Sequence, residues 1–126
     1  MKEGAPMPSR APRERVLLVD SQDESRRAVQ LLLQGCGMEV RAFASAAAAM
    51  AEATLDQIRT LLIARELVDG DAIHLLRQLA LRGWRGRAIL IGQSHADLDD
   101  HARSAGFAHV VKKPVGRLEL LGALAR

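Results

Sequence analysis

The chain has 126 residues, a length that suits one domain. Apolar residues make up 48% of it and aromatic residues only 2%, so an aliphatic core can form without metals or disulfides. The single cysteine, Cys36, excludes an intrachain disulfide and a zinc site built on several cysteines, and the mild net charge of +3 favours solvated surface charge over a nucleic-acid footprint.

Residues 1–14 are polar and contain three of the four prolines, without apolar periodicity. This composition predicts a flexible N-terminal arm followed by one domain over 15–126. The arm does not resemble a secretory signal, and no apolar run approaches the ~20 residues that span a bilayer. We therefore expect a cytoplasmic protein without membrane partners.

Beyond the arm, short aliphatic runs alternate with segments whose apolar residues are spaced three or four apart. The short runs predict five strands, over 15–19, 38–43, 59–64, 87–91 and 107–112. The spaced segments predict five helices, over 24–34, 45–55, 71–81, 96–105 and 116–125. Gly35 and Gly106 suit helix ends, and Ser45 suits a helix cap.

Alternating strands and helices predict a parallel sheet covered by helices on both faces. Right-handed crossovers leave few topologies, and the doubly wound, flavodoxin-like order 2-1-3-4-5 is the natural one for five strands. Such sheets place their site at the carboxyl ends of the strands, where the strand order reverses. The residues after strands one and three are therefore the candidates for function.

Two motifs occur at the carboxyl edge of this sheet, after strands one and five. Asp20 follows the aliphatic end of strand one, and Lys113-Pro114 follows Gly106 by seven positions. In this order within five β/α units, they resemble the receiver domains of bacterial response regulators, over about residues 15–126. The resemblance implies a phosphoryl-accepting pocket with two acids after strand one, an aspartate ending strand three, a hydroxyl after strand four and a lysine before a proline.

Matched position by position, the sequence departs from that pocket at two of its four charged positions. Asp20 matches the first acid, and Lys113 and Pro114 match the lysine and proline. The other positions carry different residue types: Ser21 for the second acid, Ala64 for the phosphoacceptor, Gly92 for the hydroxyl and Val110 for the family's switch aromatic. Ser94 is an alternative hydroxyl, but it would be idle without an acceptor.

Alanine carries no nucleophile, so an aspartyl phosphate cannot form at Ala64. No aspartate lies between Gln57 and Val68, so a shifted register does not supply one. Asp20, aided at most by Asp23, is a poor magnesium site, because Mg²⁺ needs several oxygen ligands. We therefore expect no catalytic residues, no cofactor, weak or absent Mg²⁺ binding, and no enzyme activity.

Lys113 and Asp20 are the two charged groups of the family pocket that remain. We therefore expect them to pair directly and to lock the pocket in one state. The leading interpretation is a pseudo-receiver, a phosphorylation-independent protein-interaction module of two-component or phosphorelay signalling. The resemblance implies a histidine kinase, a phosphotransferase or another regulator as the protein partner.

The resemblance also implies a partner or homodimer face on helix four, strand five and helix five. The apolar candidates on that face are Val110, Val111, Leu118, Leu120 and Leu121. Trp84, among arginines, is either a ring tucked against a helix end or an exposed interface anchor. Both interpretations of Trp84 stay open at this point.

Two other function classes are weighed against this interpretation. The alternative is a nucleic-acid-linked regulator, the pseudo-receiver of a truncated transcription or antitermination protein; salt-dependent RNA or DNA binding by this chain would favour it. A flavin carrier on the same sheet is disfavoured, because Asp20 and Asp23 would repel the flavin phosphate. Nucleic acid is therefore not an expected partner of the leading interpretation.

Overall fold

Five parallel strands form the central sheet of the protein, in a computed structural model that describes residues 14–52 and 54–125. They are β1 (Arg15–Val19), β2 (Glu39–Phe43), β3 (Thr60–Ala64), β4 (Arg87–Gly92) and β5 (His109–Lys112). Their spatial order is β2-β1-β3-β4-β5, and every neighbouring pair is parallel. The predicted flavodoxin-like, doubly wound topology is confirmed.

Five α-helices connect or follow the strands. They are α1 (Asp23–Gly35), α2 (Ala46–Met50), α3 (Ala72–Leu81), α4 (Ala96–Ser104) and α5 (Arg117–Leu124). Among the described residues, none of the helices is long and apolar enough to cross a bilayer. Strand β3 is buried along its whole length, as a central strand covered on both faces must be.

The core has two parts, one on each face of the sheet, because successive strand side chains point to opposite faces. Leu17, Ile63 and Leu90 lie in the part that includes residues of α2, α3 and α4. Leu18 and Leu62 lie in the other part, which includes residues of α1 and α5. This covering on both faces leaves the carboxyl ends of the strands as the open edge.

Helix α2 is shorter than the predicted 45–55. Ser45 caps it as predicted, since its Oγ accepts the Ala48 N–H at 3.1 Å. The helix ends at Met50, and a 3-10 turn over Leu55–Gln57 follows. The nearly buried Glu52 carboxylate lies 2.9 Å from Arg41 Nε, an ion pair that holds the chain against β2.

A short hairpin lies between β3 and α3, with two residues in each of its strands. The sequence did not predict it. Glu66–Leu67 pairs antiparallel with Gly70–Asp71. Gly70 has φ of 152°, a backbone conformation that favours glycine. The hairpin tip carries Val68 and Asp69 to the carboxyl edge of the sheet, where β1 and β2 also end.

The predicted arm over 1–14 lies outside the described residues except for Glu14. The Glu14 carbonyl accepts the Glu39 N–H at 2.9 Å, and its carboxylate accepts the Thr60 hydroxyl at 2.7 Å. Glu14, the first described residue, thus already contacts the sheet.

Candidate functional site

Asp20 lies at the end of β1 and is the centre of the site. Its side chain is 0% exposed. Its backbone N–H donates to the Phe43 carbonyl at 3.0 Å, and its Oδ1 accepts the Gln22 N–H at 3.0 Å. A buried carboxylate of this kind needs a counter-charge to offset its lost hydration.

Lys113 supplies that counter-charge. Its Nζ lies 3.1 Å from Asp20 Oδ2 and 3.3 Å from Oδ1, and it donates to Gln22 Oε1 at 2.9 Å. The Oδ2 contact is an ion-pair contact rather than an aligned hydrogen bond. The predicted pair of Lys113 with Asp20 is present, and the ammonium group neutralises the charge of the carboxylate from within the chain. The Lys113–Pro114 peptide bond is cis.

Ser21 joins three loops of the site. Its Oγ donates to the Ala44 carbonyl at 2.6 Å and accepts the Val68 N–H at 2.8 Å. It thereby connects the segments that follow β1, β2 and β3. A carboxylate here could accept but not donate, so it could not make both bonds. The sequence indicated only the loss of an acid at this position and missed this structural role.

Asp69 holds the hairpin tip against the first turn of α2. Its Oδ1 accepts the Ala46 N–H at 2.8 Å, and its Oδ2 accepts the Ala47 N–H at 3.0 Å. The hydrogen bonds from Ala46 and then Ala47 lower the pKa of Asp69 from its usual 3.8. Sequence reasoning missed this contact, because the residues are 23 and 22 positions apart.

Asp69→Asn should therefore lower the melting temperature at neutral pH. A carboxylate whose pKa is lower in the folded protein stabilises the fold above its unfolded pKa, and this stabilisation is lost as the pH falls through the folded pKa. The difference in melting temperature between wild type and variant should be constant from about pH 5 to 7 and shrink below about pH 4. Thermal unfolding followed by circular dichroism across this range measures it.

Asp56→Asn is the matched control for that experiment, because Asp56 is an exposed carboxylate near the opposite edge of the sheet. Its melting temperature should follow wild type at every pH. A difference in melting temperature for Asp69→Asn that persists unchanged at the lowest pH would show that the charge of Asp69 does not stabilise the first turn of α2.

Ala64, the predicted phosphoacceptor position, ends β3 and is buried. The next residue, Arg65, donates its N–H to the Ile91 carbonyl at 2.8 Å and an Nη2 hydrogen to the Gln93 carbonyl at 2.9 Å. A Cβ added to Gly92 would lie 3.0 Å from Arg65 Cβ. Because Gly92 has no side chain, the Arg65 side chain can lie against the Gly92 backbone.

The remaining candidate polar groups have other contacts. Asp23 pairs with Arg26 at 2.7 Å, and the Ser94 hydroxyl donates to Asp99 Oδ2 at 2.7 Å. Across residues 14–52 and 54–125, no group of three or more His, Cys, Asp or Glu side chains is placed to hold a metal ion. Among the described residues, the carboxyl edge of the sheet thus brings the Asp20–Lys113 pair close to Arg65, Lys112 and Glu66.

The predicted partner face is only partly available. Val111 is 3% exposed and Leu120 is buried, so placing them on that face was wrong. Both belong to the core with α1 and α5. Val111 points there because alternate β5 side chains point to opposite faces of the sheet, and Leu120 lies on the buried side of α5. Leu118 is 84% exposed, and Val110 and Leu121 are half-buried.

The Trp84 ring is tucked against the body of the domain. It packs against the core on the α2, α3 and α4 side, and its Nε1–H donates to the Ile58 carbonyl at 2.8 Å. The ring is half-buried, and its polar edge is used within the chain. This geometry favours the first of the two interpretations of Trp84.

Similar solved structures are receiver domains. The response regulator receiver protein from Pseudoalteromonas atlantica matches with 28% identity and a TM-score of 0.78, over 88% of this chain and 93% of that one. The signal receiver domain of an HD domain-containing protein from Pseudomonas fluorescens Pf-5 matches with 26% identity and a TM-score of 0.79, over 90% and 93%. Chemotaxis protein CheY4 of Vibrio cholerae has 19% identity and a TM-score of 0.84, over 91% and 98%.

No family model matches the sequence, and a search of curated proteins finds no significant match. The described residues have the receiver-domain fold of response regulators, as the solved structures show.

Proposed function

We propose that this chain is a pseudo-receiver, which acts in response-regulator signalling by binding a protein partner without accepting a phosphoryl group. The observation that carries the proposal is Ala64 at the carboxyl end of β3, beside the Asp20–Lys113 pair. A methyl group offers no electron pair to phosphorus, so no acyl phosphate forms there. Glu66, the nearest acid along the chain, is exposed on the hairpin.

The surroundings of Asp20 also disfavour magnesium. Mg²⁺ is bound through carboxylate oxygens and keeps several waters in an octahedral array. Asp20 is the one buried carboxylate of the pocket, and Lys113 already neutralises it. Ser21, in place of a second acid, is committed to Ala44 and Val68. Asp20 is therefore a single carboxylate that is already paired, which is too few free ligands for magnesium.

The proposed partner is a protein, either a histidine kinase, a phosphotransferase or another regulator, in the cytoplasm. The altered pocket supports a binding module rather than an enzyme. Leu118 on α5 supports the α4-β5-α5 face as the contact surface, because a large apolar side chain that is 84% exposed gains most from being covered. Half-buried Val110 and Leu121 would contribute the edge of that surface, in a partner complex or a homodimer.

Incubation with acetyl phosphate and Mg²⁺, followed by intact-mass measurement, tests the proposal. We expect the mass of this chain to stay unchanged while a phosphorylatable receiver in the same tube gains one phosphoryl group. The internal control shows that the donor and the metal are active. A hydroxylamine-sensitive adduct of phosphoryl mass on this chain would overturn the proposal.

A further inference from the structure

The end of α3 and the loop after it carry unneutralised positive charge, at the opposite edge of the sheet from Asp20. Residues 72–96 contain four arginines and no aspartate or glutamate. Three of these arginines, Arg77, Arg82 and Arg85, are exposed. No ion pair within residues 14–52 and 54–125 includes any of the three. Their charge is therefore open to an acidic partner.

Leu81 lies among these arginines and is 81% exposed. It follows Arg77 by one helical turn, so both side chains lie on the same side of α3. The other large apolar side chains that are exposed in the described part of the chain each have an acid on the same helix or at the next position; they are Leu31, Val68 and Leu118. The four residues Arg77, Leu81, Arg82 and Arg85 are called the α3 surface below.

The backbone at the end of α3 holds this surface in one conformation. Gly83 has φ of 92°, and its N–H donates to the Ala80 carbonyl at 2.9 Å. The Trp84 N–H donates to the Leu79 carbonyl at 3.0 Å, which completes a glycine-terminated helix end. The bond of the Trp84 ring to Ile58 fixes the loop further. A surface that is already ordered loses less entropy when a partner binds.

Neighbouring elements do not supply the missing negative charge. The acids of α4 are in its first turn, at the carboxyl edge of the sheet, whereas Arg103 is in its last turn. On the other side, the groove at the amino ends of β1, β3 and β4 has three arginines and two acids; they are Arg15, Arg59, Arg87, Glu14 and Asp56. The amino edge beside the α3 surface thus adds no net negative charge.

We propose that the α3 surface is a second interaction surface, which binds an acidic amphipathic segment of a protein partner. Carboxylates of the segment would pair with the guanidinium groups, and an apolar side chain would cover Leu81. The exposed leucine favours a protein over a nucleic acid, because a phosphate backbone has no apolar side chain to bury against it. This surface is separate from the α4-β5-α5 face, and its binding does not depend on whether the pocket accepts a phosphoryl group.

Titration with a synthetic peptide tests the surface. The probe is a capped peptide about three helical turns long, with leucine at every third or fourth position and glutamate elsewhere. Trp84 is the only tryptophan of the chain and lies beside Arg85, so its fluorescence reports binding. We expect a saturable change that weakens as the salt concentration rises. Absence of saturable binding at low salt would overturn the proposal.

A matched pair of double variants locates the binding. Arg77→Gln/Leu81→Gln should weaken peptide binding at least about tenfold. Arg27→Gln/Leu31→Gln removes the same two residue types, at the same spacing, from exposed positions of α1 on the other face of the sheet. It should bind like wild type. Equal effects of the two double variants would overturn the assignment to α3.

An NMR titration of wild type gives the same information without a variant. Amide shifts should centre on residues 81–85, and shifts centred on α1 or α5 would overturn the site. Two further probes test the chemistry of the partner. A leucine-free glutamate peptide should bind more weakly than the amphipathic one. Equal binding of that peptide, or tighter binding of single-stranded polyuridine at the same amides, would overturn an amphipathic protein segment as the ligand.

Discussion

Lys113→Met should lower the free energy of unfolding by about 2–3 kcal/mol at neutral pH, because it leaves the buried Asp20 carboxylate without its counter-ion. The expected loss lies at the lower end of the effect for a buried pair, since the Lys113 side chain is 25% exposed and partly screened. Urea denaturation of wild type and variant measures the difference.

Lys112→Met is the matched control, because Lys112 is the exposed neighbour of Lys113. It should change the free energy of unfolding by no more than about 0.5 kcal/mol. The double variant Asp20→Asn/Lys113→Met should be more stable than the sum of the two single changes predicts, by at least about 1 kcal/mol. Additive losses, or equal losses at Lys113 and Lys112, would refute a pair that stabilises the pocket.

Gly86→Ala should lower the free energy of unfolding by about 2–3 kcal/mol through overpacking. A Cβ at this position would lie 2.5 Å from the Arg59 carbonyl oxygen and would overlap the Trp84 ring. Neither neighbour can move freely, because the Arg59 carbonyl accepts the Arg87 N–H at 2.8 Å and the Trp84 ring is held by its bond to Ile58. Urea denaturation followed by Trp84 fluorescence measures the loss.

Gly122→Ala provides a control of opposite sign. Gly122 lies within α5, and an added Cβ there meets nothing within 4 Å. Alanine is the better helix former, so this variant should gain about 0.5–1 kcal/mol. A Gly86→Ala variant as stable as wild type would contradict the tight packing of Trp84 and would reopen its interpretation as an exposed partner anchor.

Local patterns predicted most elements because the strands are short and the three central ones, β1, β3 and β4, are aliphatic and covered on both faces. The 3.6-residue spacing placed α1 and α3 within one residue at each end, although it made α2 too long. Helix α2 buries only Ala49, so the packing of Glu52 against β2 decides where it ends. The hairpin over residues 66–71 escaped prediction because two-residue strands carry no periodicity.

The sequence also predicted that Asp20, Ala64 and Lys113 lie near one another, since each stands at the carboxyl end of a strand and these ends meet at one edge of the sheet. It did not predict what Ser21, Asp69 and Arg65 contact. Their partners come from other loops, and only the folded chain brings those loops together. Val111 was misplaced for a similar reason, because an apolar strand residue can point to either face of a covered sheet.

By itself the amino-acid order determined that β3 ends on alanine and that no aspartate lies between Gln57 and Val68. The tertiary structure decided how the remaining charges are used. It buries Asp20 against Lys113 and leaves Arg65 beside a cavity. The physical reason is that a nucleophile is a property of one side chain, whereas charge pairing and burial depend on distances that the fold sets between residues far apart in the chain.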